Sequence, residues 1–118
     1  MEDLTPADKA RYARHLTLPQ IGEAGQAHLK ASRVFAVGAG GLGSPALLYL
    51  AAAGVGHLTI IDDDTIERSN LQRQILHADE DVGASKAESA MQRLKQLNPS
   101  IMIDVHSIRL TSENALNL

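Results

Sequence analysis

Apolar positions occur along the chain in two patterns. Short continuous runs of apolar and β-branched residues predict buried strands at 32–37 (SRVFAV), 57–61 (HLTII) and 101–106 (IMIDVH). The stretch 44–54 (SPALLYLAAAG) has the length of a helix and is apolar on nearly every side, which predicts a buried helix. Because strands and helices alternate, we expect a parallel sheet with right-handed crossovers.

Three more segments have the signals of helices. The pair Thr5-Pro6 supplies an N-cap and a first-turn proline for a helix that we expect to run to about Leu16. A second short helix is expected at 22–29, and a third from Gly83 to the Asn98-Pro99 pair. The apolar face of this third helix consists of Ala87, Ala90, Met91, Leu94 and Leu97.

These elements divide the chain into two regions. Residues 1–31 are predicted to form an N-terminal helical segment, and residues 32–118 the first half of a Rossmann-like domain. The fold class is therefore α/β, with about three parallel strands and flanking helices of a doubly wound sheet. Because three such strands leave sheet edges and helix faces uncovered, we expect the chain to be the N-terminal half of a larger unit and to be inactive alone.

Composition narrows the function classes. The chain has 118 residues, a net charge of −3 and no cysteine. This charge gives no support for binding nucleic acid or a membrane surface, and a thiol nucleophile or thiolate metal site is excluded. No run reaches the length of a membrane span and the N-terminus lacks the apolar core of a signal peptide, so we expect a cytoplasmic protein. The five histidines are scattered without metal-ligand spacing and are expected at the surface or at strand ends.

A glycine-rich loop follows the first predicted strand. In VGAGGLGSP (37–45), Gly38, Gly40 and Gly43 fit the pattern G-x-G-x-x-G between a strand and a helix. Such a loop lets a phosphate approach the backbone at the positive end of the helix dipole. The loop predicts a nucleotide, and both a dinucleotide and ATP remain open at this point.

The polar residues after the second strand favour ATP. Asp62 lies where dinucleotide folds place an acid on the ribose, which both nucleotides allow. Asn70 and Arg73 follow in SNLQRQ (69–74), and Lys86 lies in the first turn of the third helix. A lysine at that end of a helix is unfavourable unless an anion compensates. Arg73 and Lys86 therefore predict a pair of cations for a phosphate chain.

Four stretches together carry a family resemblance. They are RYARH (11–15), VGAGGLGSP (37–45), AGVGHLTIIDDDTIERSNLQRQ (53–74) and VGASKAESA (82–90). With them the chain resembles the N-terminal part of the MoeB/ThiF/HesA family of E1-like adenylyltransferases. The resemblance implies ATP-dependent adenylation of the C-terminal glycine of a ubiquitin-like sulfur-carrier protein, of the molybdopterin or thiamin type, with release of pyrophosphate.

The resemblance also implies roles for individual residues. Arg14, Arg73 and Lys86 would be catalytic, with Arg14 reaching into the other subunit of a homodimer. The nucleotide would be bound by Gly38, Gly40, Gly41, Gly43, Asp62, Asp64, Ser69, Asn70, Leu71, Gln72, Arg73 and Lys86. The carboxylate that holds Mg²⁺ is expected downstream of these residues, as are the cysteine pairs for Zn²⁺, so no metal ligand is predicted in this chain.

Two alternatives remain. The chain could be an NAD-binding Rossmann domain of an oxidoreductase, which would use the glycine loop and Asp62 but leave Arg73 and Lys86 without a role. It could also be a nucleotide-binding or dimerisation half without activity, as the short sheet suggests.

Overall fold

Three parallel strands form the centre of the molecule. The computed structural model describes residues 2–118 and places the strands in the order β1-β2-β3. The pairing aligns Val34 with Leu58 and Leu58 with Ile103. The strands are β1 (Arg33–Val37), β2 (His57–Ile61) and β3 (Met102–His106), and the helices are α1 (Pro6–Arg11), α2 (Ala13–Leu16), α3 (Gly22–Ala31), α4 (Gly43–Ala53) and α5 (Lys86–Leu97). The α/β class and the parallel half-sheet are thus confirmed.

The core lies on one side of this sheet. Side chains from the inner face of the strands, among them Leu58 and Ile60, pack with Leu47 of α4 and Leu94 of α5. The opposite face leaves Phe35 and Val37 largely exposed in this chain. The alternation of side chains along each strand therefore separates a covered face from an uncovered one.

The structure corrects the prediction for α4. Leu47 and Ala51 are buried, but Tyr49 is 78% exposed and Leu42, just before the helix, is 91% exposed. The expectation of a helix buried on all sides is therefore wrong for this chain. The outward face of α4 carries apolar side chains that no part of residues 2–118 covers.

Two helix boundaries also differ from the prediction. The N-terminal helix begins at Pro6 as expected, with Thr5 and Asp8 in a reciprocal capping box, but Tyr12 divides it into α1 and α2. The helix expected from Gly83 begins at Lys86 instead. Gly83 has φ of +91°, outside the helical range, and the Ser85 side chain caps the helix by accepting from the Glu88 amide.

Buried polar side chains attach the N-terminal helices to the sheet unit. Asn98 at the end of α5 donates both to the Tyr12 hydroxyl and to the Ala51 carbonyl, each at 2.8 Å. Gln26 of α3 donates to the Ala53 carbonyl at 2.8 Å, while its own side-chain oxygen lies 2.8 Å from Nδ1 of His15. No helix within residues 2–118 is both long and apolar enough to cross a membrane.

Candidate nucleotide site at the carboxyl ends of the strands

The glycine loop between β1 and α4 depends on its glycines. Gly38 has φ of +100°, a conformation that side chains with a Cβ rarely adopt. A Cβ on Gly43 would lie 2.3 Å from the Gly38 carbonyl oxygen, so only glycine fits where the loop enters α4. The steric demands inferred from the sequence are thus present at both ends of the loop.

The same loop presents free amides. The backbone N–H groups from Gly40 to Gly43 have no hydrogen-bond acceptor within the part of the chain that the structure describes. Leu42, the N-cap of α4, contributes no capping side chain. The amides therefore remain available, at the positive end of the helix dipole, to an anion such as phosphate.

Asp62 holds the loop in place from the end of β2. One carboxylate oxygen accepts from the Ala39 amide at 2.8 Å and the other from the Asp64 amide at 2.8 Å. A carboxylate oxygen has a second lone pair, so a ribose hydroxyl could still donate to it. The structure thus gives Asp62 a clear structural task, and its role toward ribose stays a prediction.

The segment SNLQR brings one cation to the glycine loop. A Cβ on Gly41 would lie 3.9 Å from Nε of Arg73, which places this guanidinium directly beside the loop. Asn70 supports the turn, because its carbonyl accepts from the amides of Arg73 and Gln74 and its side-chain oxygen accepts from the Glu67 amide. Ser69 contributes its carbonyl to Arg73 Nη1 at 3.3 Å. Leu71 is half-buried, and Gln72 is exposed without a side-chain hydrogen bond within residues 2–118.

Lys86 is the second cation and is 7% exposed. Its amide donates to the Asp64 carbonyl at 3.0 Å, and its Nζ lies 3.8 Å from a carboxylate oxygen of Asp64. The Asp64 carboxylate therefore supplies a negative charge that compensates Lys86 at this end of α5. Asp64, predicted to bind nucleotide, acts here as the counter-ion of Lys86.

His77 is a residue that the sequence interpretation missed. It was expected at the surface or at a strand end, but it is 6% exposed, and for this histidine that expectation is wrong. Its ring lies 2.9 Å from the Ala39 carbonyl oxygen through Nε2 and 2.8 Å from Ser89 Oγ through Nδ1. Leu76 immediately before it is also buried, whereas Ile75 is exposed, so the apolar pair before His77 is a weak signal of its burial.

The environment of His77 favours the uncharged form of its ring, because it lowers the pKa. Burial lowers the pKa of His77 most strongly, and the positive charge of Lys86 lowers it further. The hydrogen bond to Ala39 and the charges of Asp62 and Asp81 act in the opposite direction on this pKa, but the balance is a lowered value.

An open pocket lies at the carboxyl ends of the strands. It has a volume of about 320 Å³ and is lined by Val37 and Gly38, by the aspartates 62–64 and by residues 108–110. Ligands of open α/β sheets bind at this edge. None of the three predicted catalytic cations, Arg14, Arg73 and Lys86, lines this pocket. Arg14 is exposed on α2, and its guanidinium has no ion pair within residues 2–118.

The aspartates 62–64 also form the one acidic cluster found within the described residues, with oxygens within 4.8 Å of one another. Both Asp62 oxygens already accept backbone amides and Asp64 faces Lys86. These bonds fit a loop support better than a metal cage, and we assign no ion to the cluster.

Comparison with known proteins agrees with this geometry. The model of the ThiF family matches residues 12–118, nearly the whole chain. The chain belongs to the ThiF family. The resemblance inferred from the sequence motifs is thereby confirmed.

Curated relatives of this ThiF-family chain are longer than it is. It is 51% identical over 115 residues to the probable adenylyltransferase/sulfurtransferase MoeZ of Mycobacterium tuberculosis, covering 98% of this chain and 29% of that protein. It is 50% identical over 114 residues to the sulfur carrier protein adenylyltransferase of Thermus thermophilus, covering 97% of this chain and 42% of that protein. The chain thus spans less than half the length of these relatives.

Solved structures share the fold. The E. coli tRNA N6-threonylcarbamoyladenosine dehydratase TcdA in complex with AMP superimposes with a TM-score of 0.91 at 31% identity, over 99% of this chain and 47% of that one. E. coli MccB with ATP superimposes with a TM-score of 0.79 at 32% identity, over 91% of this chain and 33% of that one.

Proposed function

We propose that the protein containing this chain adenylates a carboxylate with ATP. The observation that carries the proposal is the row of free amides at 40–43 with Arg73 beside it, at the strand edge that also holds Lys86. One cation beside the loop and a second that contacts Asp64, after the end of β2, suit a triphosphate better than a dinucleotide. The adenylyltransferase names of the relatives and the AMP and ATP in the related structures support the same nucleotide.

The reaction needs little covalent help from the protein. A carboxylate oxygen attacks the α-phosphorus of ATP, the bond from that phosphorus to the bridging oxygen breaks, and pyrophosphate leaves with the electron pair. A C-terminal carboxyl has a pKa of about 3.5 and is already ionised at neutral pH, so no general base is required. The obstacle is the approach of an anion to a polyanion, which fixed cations and amides relieve.

The residues of the site have the following roles in the proposed reaction. The free amides of the loop and Arg73 bind phosphate oxygens, Lys86 neutralises charge on the phosphate chain, and Asn70 shapes the turn that presents Arg73. Asp62 accepts from the ribose while it holds the loop. The phosphates of ATP compete with Asp64 for the charge of Lys86. The distance of 3.8 Å between Lys86 Nζ and the Asp64 carboxylate leaves Lys86 free to change partners.

The acceptor is proposed to be the C-terminal glycine of a ubiquitin-like sulfur carrier. This follows the name of the Thermus thermophilus relative, a sulfur carrier protein adenylyltransferase. Mg²⁺ held by a downstream carboxylate would supply charge neutralisation at the phosphates, and Zn²⁺ would be structural in a downstream region. We also propose that the protein is cytoplasmic and that the boundary between its N-terminal helical segment and its Rossmann-like domain lies between residues 31 and 32.

A homodimer is proposed to complete the site. Arg14 is exposed, and no acidic group pairs with it within residues 2–118. The outward face of α4 exposes Leu42, Ala46 and Tyr49, apolar side chains that a second subunit could cover. Arg14 of one subunit would then act at the phosphates bound by the other.

The test is isotope exchange between pyrophosphate and ATP, using the full-length protein and a carrier that ends in Gly-Gly. We expect exchange with this carrier and none with a carrier lacking the last glycine. Arg73→Ala and Lys86→Ala should each reduce exchange about a hundredfold, as does the loss of other groups that stabilise transition-state charge. The matched controls Arg33→Ala and Lys9→Ala remove exposed cations distant from the loop and should leave exchange unchanged.

Two outcomes would contradict the proposal. Tight binding of NADH without any binding of ATP would support the oxidoreductase alternative. Full exchange by both Arg73→Ala and Lys86→Ala would show that the phosphates bind elsewhere. The chain of 118 residues by itself is expected to show little or no exchange.

A further inference from the structure

The peptide groups on both sides of Ala39 are held by hydrogen bonds from outside the glycine loop. Ala39 is fully buried. Its N–H donates to Asp62 Oδ2 at 2.8 Å, and its carbonyl oxygen lies 2.9 Å from His77 Nε2. The loop is thus attached to the end of β2 through one group and to the segment before α5 through the other.

The tautomer of His77 follows from its partners. A carbonyl oxygen only accepts, so Nε2 must carry the proton that is donated to Ala39. In the neutral ring Nδ1 is then an acceptor, and the Ser89 hydroxyl must donate to it. Ser89 lies on α5, three residues after Lys86. The network therefore connects the loop with the helix that carries the second cation.

The hydrogen bond from His77 also determines where a loop amide points. The carbonyl of Ala39 and the N–H of Gly40 belong to the same planar trans peptide group, so they point in opposite directions. When His77 fixes the carbonyl, the Gly40 N–H is directed away from the His77 ring, and it is the first of the free amides. Donation to the carbonyl also polarises the peptide and strengthens its N–H as a donor.

We propose that His77 is a positioning residue of the nucleotide site, which aims the Gly40 amide at a phosphate and sets the glycine loop relative to Lys86. This inference rests on the proposed binding of ATP. It assigns a function to a buried group that neither the sequence motifs nor the proposed chemistry uses. Ser89 takes part by holding the ring in the required tautomer.

Two substitutions at this position separate the hydrogen bonds. The side-chain amide of glutamine reaches about as far as Nε2, so His77→Gln can still donate to Ala39. The amide of asparagine reaches only about as far as Nδ1, so His77→Asn can contact Ser89 but not Ala39. We expect ATP affinity of the full-length protein, measured by calorimetry well below the unfolding temperature, to fall about tenfold in His77→Asn and to recover most of this loss in His77→Gln.

His57→Asn is the matched control. His57 pairs with Asp104 at the opposite end of β2 and should leave the affinity unchanged. Ser89→Ala provides a second route if His77→Asn cannot be isolated, with an expected threefold loss because the tautomer is no longer held. If His77 only stabilised the fold, the substitutions of His77 and Ser89 would lower the thermal unfolding midpoint without changing ATP affinity at the lower temperature.

The outcomes are distinguishable. If the unmodified protein does not bind ATP, the proposed function is wrong. If it binds ATP and the folded His77 and Ser89 variants bind it equally well, the positioning role of His77 is wrong. An equal loss in His77→Gln and His77→Asn would also overturn it, because the donor to Ala39 would then be irrelevant.

Discussion

At the scale of residues, the site depends on a few contacts that tolerate little change in side-chain size or position. Gly43 has no room for a Cβ, whereas a Cβ on Gly41 would make only an ordinary van der Waals contact with Arg73. Asp62 and His77 hold the loop through the two backbone groups of Ala39. Two glycines of the same loop therefore differ in how strictly the structure requires glycine at their positions.

This difference predicts unequal effects of alanine within the loop. In Gly43→Ala the new Cβ meets the Gly38 carbonyl, so the loop must shift and the first turn of α4 with it. We expect ATP binding to be lost and the free energy of unfolding to fall by about 2 kcal/mol or more, as for other strained backbone substitutions.

Gly41→Ala is the control for stability alone, because the added methyl group finds space beside Arg73. Urea unfolding of the two variants measures stability, and calorimetry measures ATP binding. Equal stability of Gly43→Ala and the unmodified protein would contradict the steric argument.

At the scale of elements, the ends of α4 and α5 are where the N-terminal helices attach. Asn98 is fully buried at the end of α5 and connects Tyr12, between α1 and α2, with the last turn of α4. Because the helices meet through this polar side chain, the segment that carries Arg14 has a defined direction relative to the sheet. A specific hydrogen bond therefore connects residues 1–31 with residues 32–118.

The attachment predicts that Asn98→Ala is destabilising. Without the Asn98 side chain, the buried Ala51 carbonyl and Tyr12 hydroxyl lose this hydrogen-bond donor. We expect the free energy of unfolding to fall by about 2–3 kcal/mol. Urea unfolding of the full-length protein measures the change. Asn117→Ala, at an exposed position near residue 118, should change stability by less than about 0.5 kcal/mol. A similar value for the two variants would contradict the anchoring role.

At the scale of the whole molecule, apolar surfaces lie beside the candidate site. One face of the sheet and the outward face of α4 remain uncovered by residues 2–118. Leu42 belongs both to the glycine loop and to this outward face, so a subunit that covered α4 would lie next to the free amides of the loop. Such an arrangement is compatible with the proposed action of Arg14 across a dimer.

The dimer proposal predicts complementation between inactive variants. Arg14→Ala supplies an intact Lys86, and Lys86→Ala supplies an intact Arg14, so a mixed dimer regains one complete site. Unfolding and refolding the two full-length variants together should restore pyrophosphate exchange to about a quarter of that of the unmodified protein. Separately refolded variants serve as the control, and activity that stays at their level after mixing would show that Arg14 does not act across subunits.

The sequence by itself determined the order of elements and the parallel sheet, and it predicted a nucleotide as the ligand. Those features follow from local causes, because apolar periodicity, helix caps and the steric need for glycine act over a few residues, and the contiguous segment 62–74 (DDDTIERSNLQRQ) carries the most specific part of the family resemblance. Only the tertiary structure decided that His77 is buried against Ala39, that Asp64 faces Lys86 and that α4 has an uncovered face. These contacts join residues that are up to 38 positions apart, and they depend on how helices pack on the sheet, which no local pattern specifies.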